Sequence, residues 1–319
     1  MNFRTEIEIH PSEKKISHSN HIVTLGSCFA DNVAAKMTLG GLSVVANPLG
    51  EMFNPTSIAS CVGRLAEGRR FAEDELCSRG DVWFLYDTSD LLASTSKAEA
   101  LAVANSAVEM GHEALRKAEW VVLTLGTAWV YERSGTVVAN CHKMPAGEFC
   151  RRLLSVEEIV ASLRGLVEGP LAGKQVVFTV SPVRHLADGL EGNALSKSLL
   201  RVAVEKVVAE CATAHYFPAY EILLDDLRDY RYYAKDMAHP SEVAEEYVWE
   251  RFVEAFVDER VMALGGEYRK LLAMAAHRPL HPASEAYKAH CKSVRTRAAQ
   301  LAQRKPTARL EELMHFGEE

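Results

Sequence analysis

The chain has 319 residues, of which 48% are hydrophobic and 25% charged, and its formal net charge is −7 at pH 7. This composition excludes a globally disordered chain, and the negative charge argues against a nucleic-acid-binding protein, which needs a concentrated positive field. The N-terminus lacks a basic start followed by an apolar stretch, and no later segment approaches the roughly 18 apolar residues of a membrane span. We therefore expect a cytoplasmic protein that does not cross a membrane.

Seven cysteines are scattered along the chain. An odd, dispersed set does not form the disulfide framework of a small secreted protein, so we expect reduced thiols. No two cysteines have Cys-x-x-Cys spacing, and Cys141, His142 and Cys150 lack the spacing of a zinc site. The sequence therefore predicts no metal site and no cofactor.

The first half of the chain alternates short apolar runs with segments of helical periodicity. In chain order, the pattern predicts a strand over 21–25, a helix over 31–39, a strand over 42–46, a helix from 56 or 57 to 68, a helix over 96–117 and a strand over 120–125. Residues 82–86 are interpreted as an excursion from the sheet. The segments on either side of Ser134-Gly135 predict a small hairpin.

The second half continues this alternation as far as Val257. The pattern predicts a helix over 155–168, a strand over 175–180, a helix over 194–212, a strand over 215–217 and a final helix that ends at 257. From residue 264 onward, helical segments interrupted by Pro279, Pro282 and Pro306 predict an appended tail.

Apolar strands that alternate with helices predict an α/β protein. Long crossovers between such strands favour a doubly wound, mostly parallel sheet covered on both faces, which is a three-layer αβα sandwich of the flavodoxin-like kind. Ligands of these sheets bind beyond the carboxyl ends of the strands. We divide the chain into an α/β domain over 1–263 and a C-terminal helical extension over 264–319.

The segment Gly26-Ser27-Cys28 places two candidate nucleophiles directly after the first strand, where a helix begins. Cys28 fits the role better, because a helix N-terminus and a nearby imidazole both lower the pKa of a thiol. Ser27 requires a base within hydrogen-bonding reach of its hydroxyl. The alternative interpretation of this segment is a tight turn with a buried cysteine.

Asp236 and His239 are the complement that such a nucleophile needs. A carboxylate three residues before a histidine can orient the imidazole when the segment is a turn entering a helix. Pro240 favours that geometry, because proline is common at the first helical turn and keeps the preceding residue extended. The alternative is a capping aspartate beside a surface histidine.

Several short motifs resemble the ordered blocks of the SGNH (GDSL-like) hydrolases, and within that superfamily the chain is similar to the GSCFA family. The resemblance covers residues from about 24 to 256. The motifs that carry it are Gly26-Ser27-Cys28-Phe29-Ala30, Asn47-Pro48-Leu49-Gly50, Thr124-Leu125-Gly126-Thr127-Ala128-Trp129, Asn140-Cys141-His142-Lys143, Ser181-Pro182-Val183-Arg184-His185 and Asp236-Met237-Ala238-His239-Pro240-Ser241.

The resemblance implies a role for each catalytic candidate. It puts Cys28 at the position of the SGNH serine and Ser27 at the preceding aspartate. It makes His239 the base and Asp236 the residue that orients it. Gly50 falls on the glycine whose backbone N–H joins that of the nucleophile in the oxyanion hole.

The third oxyanion donor departs from the SGNH pattern, because Ala128 stands where the superfamily has asparagine. Asn47, Asn54 and Thr127 are the candidate substitutes. For the two asparagines the alternative is turn chemistry beside Pro48 and Pro55. Polar residues predicted to line the same cleft and bind a polar or anionic substrate are Asn140, His142, Arg184 and His185; a loop ion-pair site is the alternative for the last two.

These features together predict a hydrolase or acyltransferase that acts on an ester or thioester. Catalysis proceeds through a Cys (or Ser)-His-Asp triad and a covalent acyl-enzyme. The expected partner is a small-molecule acyl substrate, and the sequence does not predict an oligomeric state. The rival hypothesis is a non-catalytic ligand-binding protein that retains an SGNH-like pocket.

Overall fold

A computed structural model describes residues 4–304 and 308–317 of the chain. Its strands in chain order are β1 (His21–Gly26), β2 (Ser43–Ala46), β3 (Cys77–Arg79), β4 (Val82–Phe84), β5 (Trp120–Leu125), β6 (Trp129–Arg133), β7 (Thr136–Val138), β8 (Cys150–Leu153), β9 (Gln175–Val180) and β10 (Ala214–Phe217).

The helices alternate with the strands of the main sheet and then continue alone. They are α1 (Cys28–Leu39), α2 (Pro55–Glu67), α3 (Lys97–Lys117), α4 (Val156–Glu168), α5 (Gly189–Glu210), the short α6 (Ala219–Glu221), α7 (Glu242–Phe256), α8 (Glu259–Ala275), α9 (Glu285–Arg304) and α10 (Ala308–Leu313).

The main sheet has five strands in the order β10-β9-β5-β1-β2, and every neighbouring pair is parallel. Chain order therefore reverses between β1 and β5. In open parallel sheets this reversal opens a crevice at the carboxyl ends of the two strands, which is where ligands bind. The loop after β1 begins with Ser27 and the loop after β5 with Gly126, so both candidate motifs lie at this crevice.

Both faces of the main sheet are buried, because successive side chains of a strand point to opposite faces. In β1, Val23 and Leu25 pack with α2, α3, α4 and α5, whereas Ile22 packs with α1 and α7 on the other face. The result is a sheet covered by helices on both sides, with further helices after α7. This confirms the predicted α/β fold class with a C-terminal helical extension.

The differences from the sequence prediction lie at helix starts and outside the main sheet. Helix α1 begins at Cys28 rather than at residue 31, and α5 begins at Gly189 rather than at 194. Residues 82–86 do leave the main sheet, and part of them pairs with β3 in an antiparallel hairpin. Strand β8 was not predicted; it pairs with β6 and adds a third strand to the hairpin of β6 and β7.

Helix α8 connects the α/β part of the chain to the final helices. Val261 in its first turn packs in the core beneath the main sheet, while Tyr268 and Leu271 pack with α9 and α10. The predicted division between residues 263 and 264 falls inside this helix and stays a prediction. Of the predicted tail, residues 305–307 (which include Pro306), 318 and 319 lie outside the described residues.

All seven cysteines are free thiols, as predicted. Within residues 4–304 and 308–317, no helix combines the length and the apolar character that crossing a membrane requires.

Candidate active site

The turn between β1 and α1 presents the nucleophile candidates, and Gly26 makes this turn possible. Gly26 has a φ of +134°, and a Cβ at this position would lie 2.1 Å from the carbonyl oxygen of Thr124. Its N–H donates to the side-chain oxygen of Asn47 at 2.9 Å. Only glycine fits such a conformation against a neighbouring backbone. The turn is therefore fixed by a glycine and by an asparagine from the loop after β2.

Cys28, His239 and Asp236 form a connected row of side chains. The sulfur of Cys28 lies 3.7 Å from Nε2 of His239, and Nδ1 of His239 lies 2.6 Å from Oδ2 of Asp236. These contacts join a residue at the start of α1 to a loop more than 200 residues later. The arrangement is that of a nucleophile, a base and a carboxylate that orients the base.

The loop that carries the histidine is held by its own aspartate. Oδ1 of Asp236 accepts the backbone N–H groups of Ala238 and His239 at 2.9 and 3.0 Å. These backbone hydrogen bonds, together with the side-chain contact to His239, lower the pKa of Asp236 to about 2. Asp236 is therefore ionised at neutral pH and keeps a proton on Nδ1 of His239, which leaves Nε2 free to accept one from Cys28.

The two nucleophile candidates face different surroundings. Cys28 is half-buried with its sulfur towards His239, whereas the Ser27 side chain is almost fully buried and its hydroxyl has no hydrogen-bond partner among the described residues. Ser27 is the N-cap residue of α1, but its side chain makes no capping bond. The geometry thus favours the thiol over the hydroxyl as the group that His239 can deprotonate.

A cleft of about 400 Å³ opens above these residues, which is within the size range of small-molecule sites. It lies at the crevice between the carboxyl ends of β1 and β5. Its lining comes from five different loops and consists of Ser27, Cys28, Glu51, Phe53, Gly126, Thr127, Ser181, Val183, Arg184, His185 and His239.

The groups around Cys28 have opposite effects on the pKa of its thiol. Burial raises the pKa of the thiol, and the nearby carboxylates of Glu51 and Asp31 raise it further, whereas the backbone N–H groups of Phe29 and Cys28 at the helix N-terminus lower it. Burial also raises the pKa of both carboxyl groups, and the charge of Asp31 raises that of Glu51. The acidic side of the site therefore favours a neutral thiol.

Three other candidates support the site from outside the cleft lining. Asn47 positions Gly26, as described above. Asn54 caps α2 by accepting the backbone N–H of Ser57 at 2.8 Å. The N–H of Gly50 donates to the carbonyl of Asn47 at 2.7 Å, so in this conformation it is engaged within its own turn.

In the segment after β5, Ala128 does not offer a hydrogen-bond donor to the cleft. Ala128 is fully buried in the core, and its N–H donates to the hydroxyl of Ser196 at 2.8 Å. Thr127 does line the cleft, but its hydroxyl lies 3.2 Å from Ser196 Oγ and accepts the N–H of Trp129 at 3.0 Å. The position of the expected third donor thus belongs to the protein interior.

His142 is a structural residue of the region around β3 and β4. Its ring is 1% exposed, stacks on Phe84, and has Nδ1 at 2.7 Å from Asp90 Oδ1 and Nε2 at 2.8 Å from the carbonyl oxygen of Leu85. Neither His142 nor the neighbouring Asn140 lines the cleft.

Arg184 and His185 both line the cleft, but they differ in their partners. The guanidinium of Arg184 stacks over Tyr233 at 3.8 Å and donates to the carbonyl of Met237 at 3.3 Å. The backbone N–H of Arg184 donates to the carbonyl of Ala238, which ties this loop to the loop of His239. His185 pairs through Nδ1 with Asp188 at 2.7 Å, as the ion-pair interpretation expects for this residue.

Glu51, Ser181 and Lys197 belong to the site but were not identified from the sequence. Glu51 directly follows Gly50, the last residue of the motif Asn47-Pro48-Leu49-Gly50, so its place in the cleft could have been predicted from the sequence. Ser181 directly follows a predicted strand at the ligand-binding edge, so its place in the cleft also had a sequence signal. Lys197 lies in the middle of α5, where a lysine ordinarily faces solvent, and had none.

The arrangement supplies covalent chemistry from side chains of the chain itself. Within the described residues, 4–304 and 308–317, no group of three or more His, Cys, Asp or Glu side chains is placed to hold a metal ion. The chemistry that the geometry offers is attack by a thiol on an electrophilic carbon, with a histidine that takes up and returns the proton.

Comparison with known proteins identifies the family. The model of the GSCFA family matches residues 21–252, and that of the GSCFA domain protein, C-terminal domain, matches residues 268–318. No curated protein matches the chain significantly. One solved structure, described as a candidate platelet activating factor from Streptococcus pneumonia, aligns with 10% identity over 73% of this chain and 82% of that chain, with a TM-score of 0.35. The first match spans most of the chain, which therefore belongs to the GSCFA family.

Proposed function

We propose that this protein is an acyl hydrolase or acyltransferase of the SGNH type with Cys28 as its nucleophile. The observation that carries the proposal is the row Cys28 Sγ, His239 and Asp236, with contacts of 3.7 and 2.6 Å. A base within reach of the nucleophile and a carboxylate behind the base are the requirements of acyl transfer.

The proposed reaction has two halves. His239 Nε2 takes the thiol proton as the Cys28 sulfur attacks the acyl carbonyl, and the carbonyl oxygen becomes an oxyanion. The tetrahedral intermediate then collapses, the bond to the leaving alcohol or thiol breaks, and His239 returns its proton to that group. Water or another acceptor attacks the resulting thioester in the same way and restores the free thiol.

The N-terminus of α1 offers the nearest donors for the oxyanion. The N–H groups of Cys28 and Phe29 already act on the sulfur of Cys28, and the first N–H groups of a helix have no partner within that helix. Gly50 is the second donor that the SGNH resemblance implies; it has to leave its hydrogen bond with Asn47 to serve. The asparagine donor has no counterpart at Ala128.

The lining of the cleft favours a substrate with an anionic group. Arg184 has no carboxylate within ion-pair distance among the described residues, and Tyr233 beneath it fixes the plane of its guanidinium. Arg184 also borders a second cleft of about 380 Å³ that contains Tyr230 and Tyr233. A substrate that extends from Cys28 towards this second cleft passes the arginine.

The alternative is a ligand-binding protein that retains the cleft without the chemistry. The specific observation in its favour is the raised pKa of Cys28, which burial and the charges of Glu51 and Asp31 produce. A thiol that keeps its proton leaves the cleft able to bind a ligand but without a thiolate to attack it.

Acylation of the protein distinguishes the two hypotheses. We expect wild type treated with p-nitrophenyl acetate to release p-nitrophenol in a burst and to carry an acetyl group on Cys28, located by peptide mass spectrometry. A thioester that bears a carboxylate should acylate wild type faster than its neutral analogue, and Arg184→Leu should remove that preference.

Matched variants assign the reacting atom. Cys28→Ala should abolish the acetylated peptide, whereas Ser27→Ala should keep it, because the hydroxyl of Ser27 is buried and makes no hydrogen bond with His239. Wild type that stays unacylated, or a Cys28→Ala variant acylated on Ser27, contradicts the proposal.

A further inference from the structure

The cleft contains two oppositely charged side chains that do not pair with each other. Glu51 and Arg184 both line it, and besides Cys28 and the two histidines they are its only ionisable side chains among the described residues. Neither forms an ion pair with any other group within residues 4–304 and 308–317. Both charges are therefore available to a ligand in the cleft.

The order of the strands places these two charges on opposite sides of the nucleophile. Glu51 follows β2 and Arg184 follows β9, whereas Cys28 follows β1, which lies between them in the order β9-β5-β1-β2. Neighbouring strands of a sheet are about 4.8 Å apart, so β2 and β9 are separated by three such spacings, or about 14 Å. A ligand centred on Cys28 thus has a negative side chain at one end and a positive one at the other.

The loop that carries Glu51 is fixed by the ends of two strands. The N–H of Met52 donates to the carbonyl of Gly26 at 2.9 Å, and the carbonyl of Phe53 accepts the N–H of Gly126 at 2.7 Å. Met52 is 2% exposed and belongs to the core, whereas Glu51 and Phe53 on either side of it line the cleft. The carboxylate is therefore held in position before a ligand arrives, which lowers the entropic cost of binding.

Arg184 is held equally firmly on the other side, by the ring of Tyr233 at 3.8 Å. The second cation nearby, Lys197, is 1% exposed, does not line the cleft and donates to the carbonyls of Gly126 at 2.7 Å and Ser181 at 2.8 Å from beneath. A guanidinium keeps its charge at all ordinary pH values. Arg184 is therefore the permanent positive charge of the cleft.

We propose that the cleft takes a zwitterionic acyl donor, with Glu51 binding its cationic group and Arg184 its anionic group on opposite sides of the carbonyl that Cys28 attacks. This inference rests on the proposed function only for the attack on that carbonyl. Phe53, which is 40% exposed, and Val183 also line the cleft and suit an apolar spacer between the two charges. The substrate class is an ester or thioester with an ammonium group at one end and a carboxylate or phosphate at the other.

The same two charges exclude ligands of the wrong polarity. Asp31 lies close enough to Glu51 to raise the pKa of its carboxyl group, so the negative end of the cleft repels a second anionic group. Arg184 likewise repels a cationic group at the positive end. Repulsion of this kind adds to the selectivity that the attractive contacts provide. A ligand with two like charges should therefore bind more weakly than a zwitterion of the same size.

Ligand binding to the Cys28→Ala protein tests this inference without relying on acylation. The probes are two amides of opposite polarity, trimethylammoniobutyryl-β-alanine and the monosuccinyl amide of aminoethyl-trimethylammonium. Their analogues carry a tert-butyl group in place of the cation or a methyl ester in place of the carboxylate. By calorimetry, we expect one of the two zwitterions to bind about tenfold more tightly than either of its singly charged analogues, which corresponds to about 1.4 kcal/mol. Equal affinities within both series would overturn the inference.

Variants of the two charged residues assign the ends of the ligand. Made in the Cys28→Ala protein, Glu51→Gln should remove the gain from the cation and keep the gain from the carboxylate, and Arg184→Leu should do the reverse. Glu246→Gln removes a negative charge from the exposed surface of α7 and is the matched control, which should keep both gains. A gain from the cation that survives Glu51→Gln contradicts the inference. Selective binding of the zwitterion by a protein whose wild type resists acylation by the corresponding thioester would instead contradict the proposed function alone.

Discussion

The cleft contains two histidine–aspartate pairs that look alike in isolation. In both, the partners are three residues apart, and the two contacts from histidine Nδ1 to the carboxylate measure 2.6 Å for His239 with Asp236 and 2.7 Å for His185 with Asp188. Both histidines line the same cleft. The pairs nevertheless differ in what lies on the other side of each ring.

Nε2 of His239 faces the sulfur of Cys28, whereas Nε2 of His185 is buried without a hydrogen-bond partner among the described residues. Asp236 is half-exposed and serves its own loop, whereas Asp188 is 9% exposed and shares its carboxylate with Arg151. Burial and the charge of Lys197 lower the pKa of His185. His239 is therefore the candidate base, because its Nε2 faces a nucleophile on the side of the ring away from Asp236. His185 has no such group at Nε2, so its pair with Asp188 is a structural contact.

Replacing each histidine by alanine should separate the pairs most clearly. We expect His239→Ala to slow acylation of Cys28 by about 100-fold or more, because a positioned general base is worth roughly that factor. His185→Ala should slow it by less than about tenfold. The rate of p-nitrophenol release in the burst measures both, and equal losses in the two variants would erase the distinction.

The aspartates should divide their effects between activity and stability. We expect Asp236→Asn to slow acylation about 10- to 100-fold, because the amide no longer fixes the proton on Nδ1 of His239. Asp188→Asn should instead lower the free energy of unfolding by about 1–3 kcal/mol, since Arg151 and His185 lose a charged acceptor. Urea denaturation and burst kinetics on both variants check this division; a stability loss confined to Asp236→Asn would contradict it.

The smallest expected effect is the pH dependence of stability at His185. Its pKa in the folded protein is lowered, so the unfolded chain binds a proton first as the pH falls below about 6.5, and the folded state loses stability there. Wild type should therefore lose slightly more free energy of unfolding than His185→Gln between pH 7 and pH 5. Urea denaturation at the two pH values measures the difference. A larger loss in the variant would contradict a lowered pKa of His185 in the folded protein.

The central strands could be predicted almost to the residue because they are buried on both faces. β5 and β9 are mostly apolar runs bounded by polar or glycine residues, and such runs have few alternative interpretations. β8 could not be predicted, since its sequence Cys-Arg-Arg-Leu has no apolar alternation. It forms through tertiary contacts with β6, among them Arg151 stacked over Trp129 at 4.1 Å.

The residues of the site also fall into those that the sequence predicts and those that it does not. Cys28, Asp236 and His239 belong to local motifs whose residue types state their chemistry, and the structure brings them together. Lys197 carries no such signal, because its burial depends on how α5 packs against the ends of β5 and β9. The engagement of Gly50 with Asn47 was equally hidden, since it depends on the conformation of one turn.

Helix α8 limits where the chain can be cut. The two family matches leave residues 253–267 between them, and α8 begins inside this interval and continues beyond it. Its Gly265 lies against the backbone of Gly40 at the end of α1, so closely that a Cβ added to Gly265 would come within 3.1 Å of that backbone. A truncated protein that ends near residue 263 would keep Val261 but lose Gly265, and with it the close contact between α8 and the end of α1. Expression of the α/β part alone is therefore better designed to keep α8 whole.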